Sequence, residues 1–487
     1  MGVFITSMVV LGCSVAAEPP AIHITWDSVL RVSNTTTTLQ VVVNPPLRRG
    51  SKIHDRVFQA LHDLQPDYTR YVPWLPYPKL AVAELQPNSW DFSLIDPMTI
   101  DFLEATKGHP VVLNFSTTPQ WMWVTPKPVT YPADPDQVVW NYTQGTELRD
   151  PSVKELAEYY GRLVSWYTRG GFVDEQGKRH DSGYHYKVDW WEVLNEPDFE
   201  HNLSPKFYTQ IYDAIVQRIH EVAPEIKFVG ISAAGPSYEP DRFEYFLNPQ
   251  NHKPRIPLDA ISYHFYATPA RDEAPDVQQY TFWAQAEGFL NTVRYIEVIR
   301  KRLSPKTATM INEIGAISAD DGGQDQPGHV TQPIPASYWN LCGAMYAYLF
   351  GELAKMGIET VNSSQLVGYP TQFPSVSLVN WETGQPNARF WVLKLLRDSL
   401  GPGDKLVRTS SPSPYVYAQA FLTRDNKHRL LLVNKRNREI EVTLPQAGAT
   451  VRVVDQTTGF QPAASGKMAG ASLRLGGYAV AVVELGQ

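Results

Sequence analysis

Apolar residues along this chain fall into short runs that alternate with longer amphipathic stretches. Leu39–Val43, 67–72, 109–115, 187–195, 227–231, 260–266, 307–315 and 358–361 read as buried strands. Between most of them lie segments of helical spacing, such as Ile53, Val57, Leu61 and Leu64, and further stretches at 153–167, 207–222, 242–247, 282–303, 337–356 and 388–400. No helix is marked between the second and third strands, where 73–108 reads as a Pro-rich loop carrying Trp74, Tyr77 and Trp90. Eight such strands, seven of them followed by a helical segment, predict a parallel (β/α)8 TIM barrel.

From about Gly401 the rhythm changes. Runs at 415–422, 429–433, 439–444, 451–454 and 477–485 have period two and are separated by Gly, Asn and Pro, which predicts a C-terminal antiparallel β-sandwich domain. The alternating segment 21–32 is a candidate to join it. The expected division is a signal peptide over 1–17, N-terminal strands over 18–37, a catalytic barrel over 38–400 and the β-sandwich over 401–487.

Polar residues set inside these buried strands carry the chemistry. Trp190-Trp191-Glu192-Val193-Leu194-Asn195-Glu196-Pro197 is an apolar strand that stops at an Asn-Glu pair, since Pro197 cannot donate to a ladder. Thr309-Met310-Ile311-Asn312-Glu313 repeats the strand-then-Glu pattern 117 positions later (313 − 196). At about 30 residues or more per βα unit, that gap fits three units and puts Glu196 and Glu313 at the ends of strands four and seven. Glu196 alone is weak evidence, since a capping or salt-bridged carboxylate is the competing reading; the joint placement of both glutamates is what points to chemistry. Arg70 interrupts the second strand and needs a buried carboxylate partner. In the sixth strand Ser262, His264 and Tyr266 share one face. The loops at the barrel mouth offer Trp121, Trp123 and Trp381 as platforms for the apolar faces of sugars, and the long loop 124–150 lies beside them.

Two carboxyls facing one another across a barrel mouth suit glycoside cleavage: one hands a proton to the leaving oxygen while the other stays ionised and attacks the anomeric carbon. Asn195 suits a hydrogen bond to the sugar 2-hydroxyl, and Arg70, His264 and Tyr266 would keep Glu313 charged and oriented.

Composition narrows the alternatives. A net charge of −7 with no basic stripe excludes a nucleic-acid partner, and aromatics reach 12% with 13 Trp and 25 Tyr, in keeping with an oligosaccharide or polysaccharide substrate. No cofactor and no metal is expected, since no Gly-rich phosphate loop or ligand spacing occurs, and the acidic loop 319–325 lacks the pattern of a calcium loop. The uncharged, apolar Met1–Ala17 is too short to span a membrane and reads as an export signal, giving a secreted or periplasmic protein; lipid attachment through Cys13 is the alternative. Removing that segment leaves Cys342 alone, so the fold stands without disulfides.

The motif Trp191-Glu192-Val193-Leu194-Asn195-Glu196-Pro197-Asp198, the later Glu313, the Tyr/His-bearing sixth strand and the terminal sandwich resemble the retaining (β/α)8 glycoside hydrolases of clan A, and most of all glycoside hydrolase family 39, which includes β-xylosidases and α-L-iduronidases. The resemblance spans roughly 38–485. It implies that Glu196 is the acid/base and Glu313 the nucleophile of an exo-acting, β-xylosidase-like enzyme. The surroundings of Glu313 depart from the xylosidase and iduronidase patterns, which leaves the sugar open. An endo-acting polysaccharide hydrolase and a non-catalytic carbohydrate-binding barrel are the competing readings; the presence of both glutamates speaks against the second.

Overall fold

The computed structural model describes residues 21–486 apart from 129, 141, 143, 271, 272 and 324–331. The expected signal peptide and Cys13 lie outside the described residues. Eight parallel strands, Thr36–Val42, Thr69–Val72, Val111–Leu113, Trp190–Glu192, Lys227–Ala233, Ala260–Ala267, Ala308–Ala316 and Thr360–Ser363, close into a barrel. The ring shuts where the eighth strand pairs with the first, Thr360 opposite Thr36 and Ser363 opposite Leu39. Helices cover its outside, with Leu156, Tyr160, Leu163, Val164 and Tyr167 of Lys154–Thr168 forming one of the buried stripes.

One of these helices, Ile95–Ala105, was absent from the sequence expectation. Its buried Ile95, Met98, Thr99, Phe102 and Leu103 have helical spacing, but Pro97 disguises the pattern. Pro97 stands in the first turn, where a missing N–H costs no intrahelical bond. A small hairpin, Gly171–Val173 against Arg179–Asp181, was also unforeseen. The fourth strand is shorter than 187–195, because Leu194 and Glu196 adopt left-handed φ of 62° and 41° and turn the chain out of the ladder.

The barrel interior is split by polarity. At the floor Val112, Trp190, Val229, Ala260 and Met310 form an apolar plug. Above it the strands turn buried polar groups inward, among them Gln40, Arg70, Asn114, Glu192, Ser262 and Asn312. Burying that many polar groups is tolerable only when they satisfy one another.

The C-terminal part is antiparallel. Seven strands run in the order His23–Val32, Lys405–Ser410, Val416–Leu422, His428–Asn434, Val480–Leu485, Thr450–Val454 and Ala464–Lys467. A second, two-stranded layer pairs Ile440–Thr443 with Ser472–Leu475. Ile22, Val407, Ala418, Leu430, Leu432, Val442 and Leu475 fill the space between the layers. The alternate positions Leu406, Tyr417, Phe421, Leu431 and Val433 face the other way and join the hydrophobic core of the barrel. Both faces of the large sheet are therefore covered, as a sandwich leaning on a barrel requires. Among the described residues no helix is long and apolar enough to cross a membrane.

Candidate active site

The site is assembled at the carboxyl ends of the strands, where βα loops leave the barrel. Glu196 follows the fourth strand. Its left-handed backbone, together with those of Leu194, Ile231 (φ 75°) and Ser232 (φ 48°), makes a concentration of positive φ in non-glycine residues at the ends of strands four and five. Such conformations cost roughly 1–3 kcal/mol each and persist where the surrounding structure holds them. Here the Glu196 N–H donates to the Ser232 carbonyl at 2.9 Å. Glu313 lies within the seventh strand opposite His264, next to a one-residue register shift between Ile311 and Glu313.

An oxygen of Glu196, an oxygen of Glu313 and a ring nitrogen of His264 all lie within 4.8 Å of one another. Arg70 is fully buried and anchors the set. Its Nη1 donates to Glu313 Oε1 and Gln40 Oε1, both at 2.6 Å, its Nη2 to Asn195 Oδ1 at 2.6 Å, and its Nε to Glu192 Oε2 at 2.5 Å. The Tyr266 hydroxyl donates to the other oxygen of Glu313. Gly315 leaves room for that ring: a Cβ there would meet Tyr266 Cε1 at 2.9 Å and Cδ1 at 3.0 Å.

The two glutamates are pushed in opposite directions. Burial raises Glu196, with the negative charges of Glu313 and Asp198 adding to it and His264 opposing, so it holds its proton above the ordinary carboxylate range. Burial would raise Glu313 too, but the charges of His264 and Arg70 and hydrogen bonds from Tyr266 and Arg70 outweigh it and keep it below that range. One carboxylic acid and one carboxylate, side by side, are what proton donation and nucleophilic attack require.

Each sequence candidate has a definite place. Arg70, Tyr266, Asn195, Glu196 and Glu313 converge. Asn195 Nδ2 donates to Glu200 Oε1 at 2.8 Å, which leaves its second amide hydrogen for a ligand. His264 is corrected in part: its Nδ1 is 2.8 Å from Glu196 but 3.7 Å from Glu313, so it chiefly orients Glu196, while its charge acts on both. The three tryptophan platforms are not at the cavity. Trp123 is fully buried, stacked on His201 at 4.1 Å with its N–H on Thr118. Trp121 donates to the Glu84 carbonyl beneath the loops. Trp381 packs against the barrel core away from the cavity lining.

A cavity of about 580 Å³ opens above Glu196 and Glu313, and other rings line it: Trp74, Trp140, Tyr142, Phe199 and Phe373. Trp140 and Tyr142 come from the long loop 124–150. Trp74 makes an edge contact with Trp140 at 5.4 Å and stacks on Phe373 at 6.0 Å. The sequence reading gave Glu192 and Glu200 no role. Glu192 is fully buried and accepts from Arg70, Asn114, Ser262 and Asn312. A charged residue between Trp191 and Val193 in a buried strand was a legible sign of a partner for Arg70.

Residues 416–483 match the family model described as D-apionate lactonase, C-terminal immunoglobulin-like domain. That match lies wholly outside the strands that carry Glu196 and Glu313. No curated protein matches the chain. Among solved structures, the GH51 arabinofuranosidase from Xanthomonas axonopodis pv. citri superposes with a TM-score of 0.66 at 11% identity, over 96% of this chain and 100% of that one. The GH30 endoxylanase from Clostridium papyrosolvens C71 gives 0.59 at 14%, over 96% and 100%. The α-L-arabinofuranosidase from Thermotoga maritima gives 0.61 at 14%, over 96% and 99%. At such identities the likeness is one of fold, shared with (β/α)8 glycoside hydrolases.

Proposed function

We propose that the protein is a retaining glycoside hydrolase with Glu313 as nucleophile and Glu196 as acid/base. The observation that carries the reading is the approach of the two carboxyl groups, oxygen to oxygen within 4.8 Å. Retaining enzymes set these groups about 5–5.5 Å apart, whereas inverting ones need about 6.5–9.5 Å to admit a water. A Glu313 oxygen attacks the anomeric carbon as the glycosidic bond breaks and the Glu196 proton passes to the leaving oxygen. Glu196, now a carboxylate, then takes a proton from water, whose oxygen displaces Glu313 and regenerates both groups. The Asn195 amide sits beside Glu196 to meet the sugar 2-hydroxyl. Trp74, Trp140 and Phe373 line the cavity over the two glutamates, and exo action on a terminal residue is the preferred mode. A β-xylosidase-like activity is the preferred specificity, in keeping with the family 39 resemblance. An α-L-arabinofuranosidase is the second reading, favoured by the GH51 architecture.

Aryl glycosides test this. Glu196→Ala should lose about 100-fold or more on a poor leaving group and far less on 2,4-dinitrophenyl glycosides, which need no proton. Glu313→Ala should lose activity on all of them. Proton NMR of the first product should show retained anomeric configuration; inversion, or equal losses for both leaving groups in Glu196→Ala, contradicts the assignment.

A further inference from the structure

Glu200 lines the same cavity, four residues beyond Glu196. Its Oε1 accepts two N–H bonds, from Trp74 Nε1 at 2.7 Å and Asn195 Nδ2 at 2.8 Å. Its Oε2 is buried and, among the described residues, has no hydrogen-bond partner. The rest of the cavity wall is rings, aliphatic side chains, amides, the Ser364 hydroxyl and the two carboxyls Glu196 and Glu313; among the described residues lining it none is Lys, Arg or His. Resting on the glycosidase reading, we propose that Glu200 is a further substrate-contacting and specificity-determining residue, its Oε2 taking a hydroxyl of an uncharged sugar bound beside Trp74.

The hydrogen-bond pattern fixes which oxygen a proton on this group would occupy. Both donors on Oε1 are N–H groups with nothing to accept, so a proton on this carboxyl sits on Oε2. Burial, reinforced by the nearby charge of Glu196, raises Glu200 well above the ordinary carboxylate range. In the protonated form that burial favours, Oε2 donates its hydrogen to the sugar. A buried donor left without an acceptor is costly, and a sugar hydroxyl in the cavity supplies one. The same surroundings reject a uronic acid, whose carboxylate would meet carboxyl groups and no cation. Selection by a buried polar group is strong, because a substrate lacking the partner leaves it unpaired.

The test uses 4-nitrophenyl xyloside, arabinofuranoside, glucoside and glucuronide, followed by monodeoxy analogues of the best substrate. Wild type should turn over a neutral glycoside and discriminate against one monodeoxy analogue. Glu200→Leu should lower kcat/KM on the parent by about tenfold to a hundredfold and treat parent and that analogue alike. A merely structural role would lower both together and keep the discrimination. Glu200→Gln, whose amide donates where the carboxylic acid does, should recover most of the loss. The proposal is overturned if Glu200→Leu retains the wild-type discrimination, if Glu200→Gln is as impaired as Glu200→Leu, or if the glucuronide is the best substrate. In those cases hydrolysis persists and the glycosidase reading stands. A wild-type enzyme inert on every neutral and acidic glycoside removes both.

Discussion

Replacing Arg70 by Met isolates what a buried cation contributes. Arg70→Met keeps the volume and removes bonds to Glu192, Glu313, Gln40 and Asn195, each of 2.5–2.6 Å, and one of 3.2 Å to Ser232. Breaking a buried ion pair from one side costs about 3–5 kcal/mol, since the other charge is left behind. Here Glu192 keeps three donors, Asn114 at 2.6 Å, Ser262 at 2.5 Å and Asn312 at 2.7 Å, and Glu313 keeps Tyr266. The expected cost is therefore at the low end, about 3 kcal/mol, read from urea unfolding followed by tryptophan fluorescence. Activity should fail separately. Without Arg70 the Glu313 carboxyl loses one of the charges holding it low, so a higher pH is needed to ionise it and the acid limb of kcat/KM moves up. The double variant Arg70→Met/Glu192→Gln removes the stranded charge and should regain about 1–2 kcal/mol while activity stays low. The reasoning is refuted if Arg70→Met loses under about 1 kcal/mol, or if the double variant regains activity along with stability.

Further outcomes follow from other contacts. Tyr266→Phe keeps the ring and deletes the donor to Glu313; kcat/KM should drop about tenfold to a hundredfold, the range of a hydrogen bond to a charged group, with circular dichroism unchanged. Gly315→Ala should mimic part of that loss by displacing the Tyr266 ring, and Tyr266→Phe should then add little to it. Burial raises Glu84 from 4.5 to about 8, so stability from this group is complete below 4.5 and is lost as pH rises through about 8. Glu84→Gln should flatten the fall between those values, by up to about 1 kcal/mol per pH unit after allowance for residual solvent access; an unaltered slope on denaturant titration contradicts it. A chain ending at residue 400 should be insoluble, because Tyr417, Phe421, Leu431 and Val433 share a core with the barrel helices; a soluble, cooperatively melting product would show the barrel independent.

What the sequence disclosed depended on whether neighbours along the chain or across space decide the outcome. The barrel strands were legible because each is a short apolar run punctuated by a polar residue. Glu196, Glu313 and Arg70 were legible because charge inside such a run needs an explanation. Ile95–Ala105 escaped because Pro97 looks like a breaker until its place in the first turn is known. The aromatic lining escaped for another reason. Trp123 and Trp140 stand in similar Pro-rich surroundings, yet one is sealed beneath a loop and the other faces the cavity. That choice is made by the path of residues 124–150, which no local pattern encodes. Glu200 was likewise invisible: its significance lies in Trp74 and Asn195 both binding one oxygen.

The pairing of His23–Val32 with Lys405–Ser410 has a consequence for biosynthesis. The two strands are separated by 372 intervening residues (33–404). At about 5–20 residues per second, the first waits roughly 20–75 s for the second to leave the ribosome. Throughout that interval the ten-residue strand has no partner on either side, a template for mispairing. Nascent chains of this protein should therefore need holding at their amino end until synthesis is nearly finished.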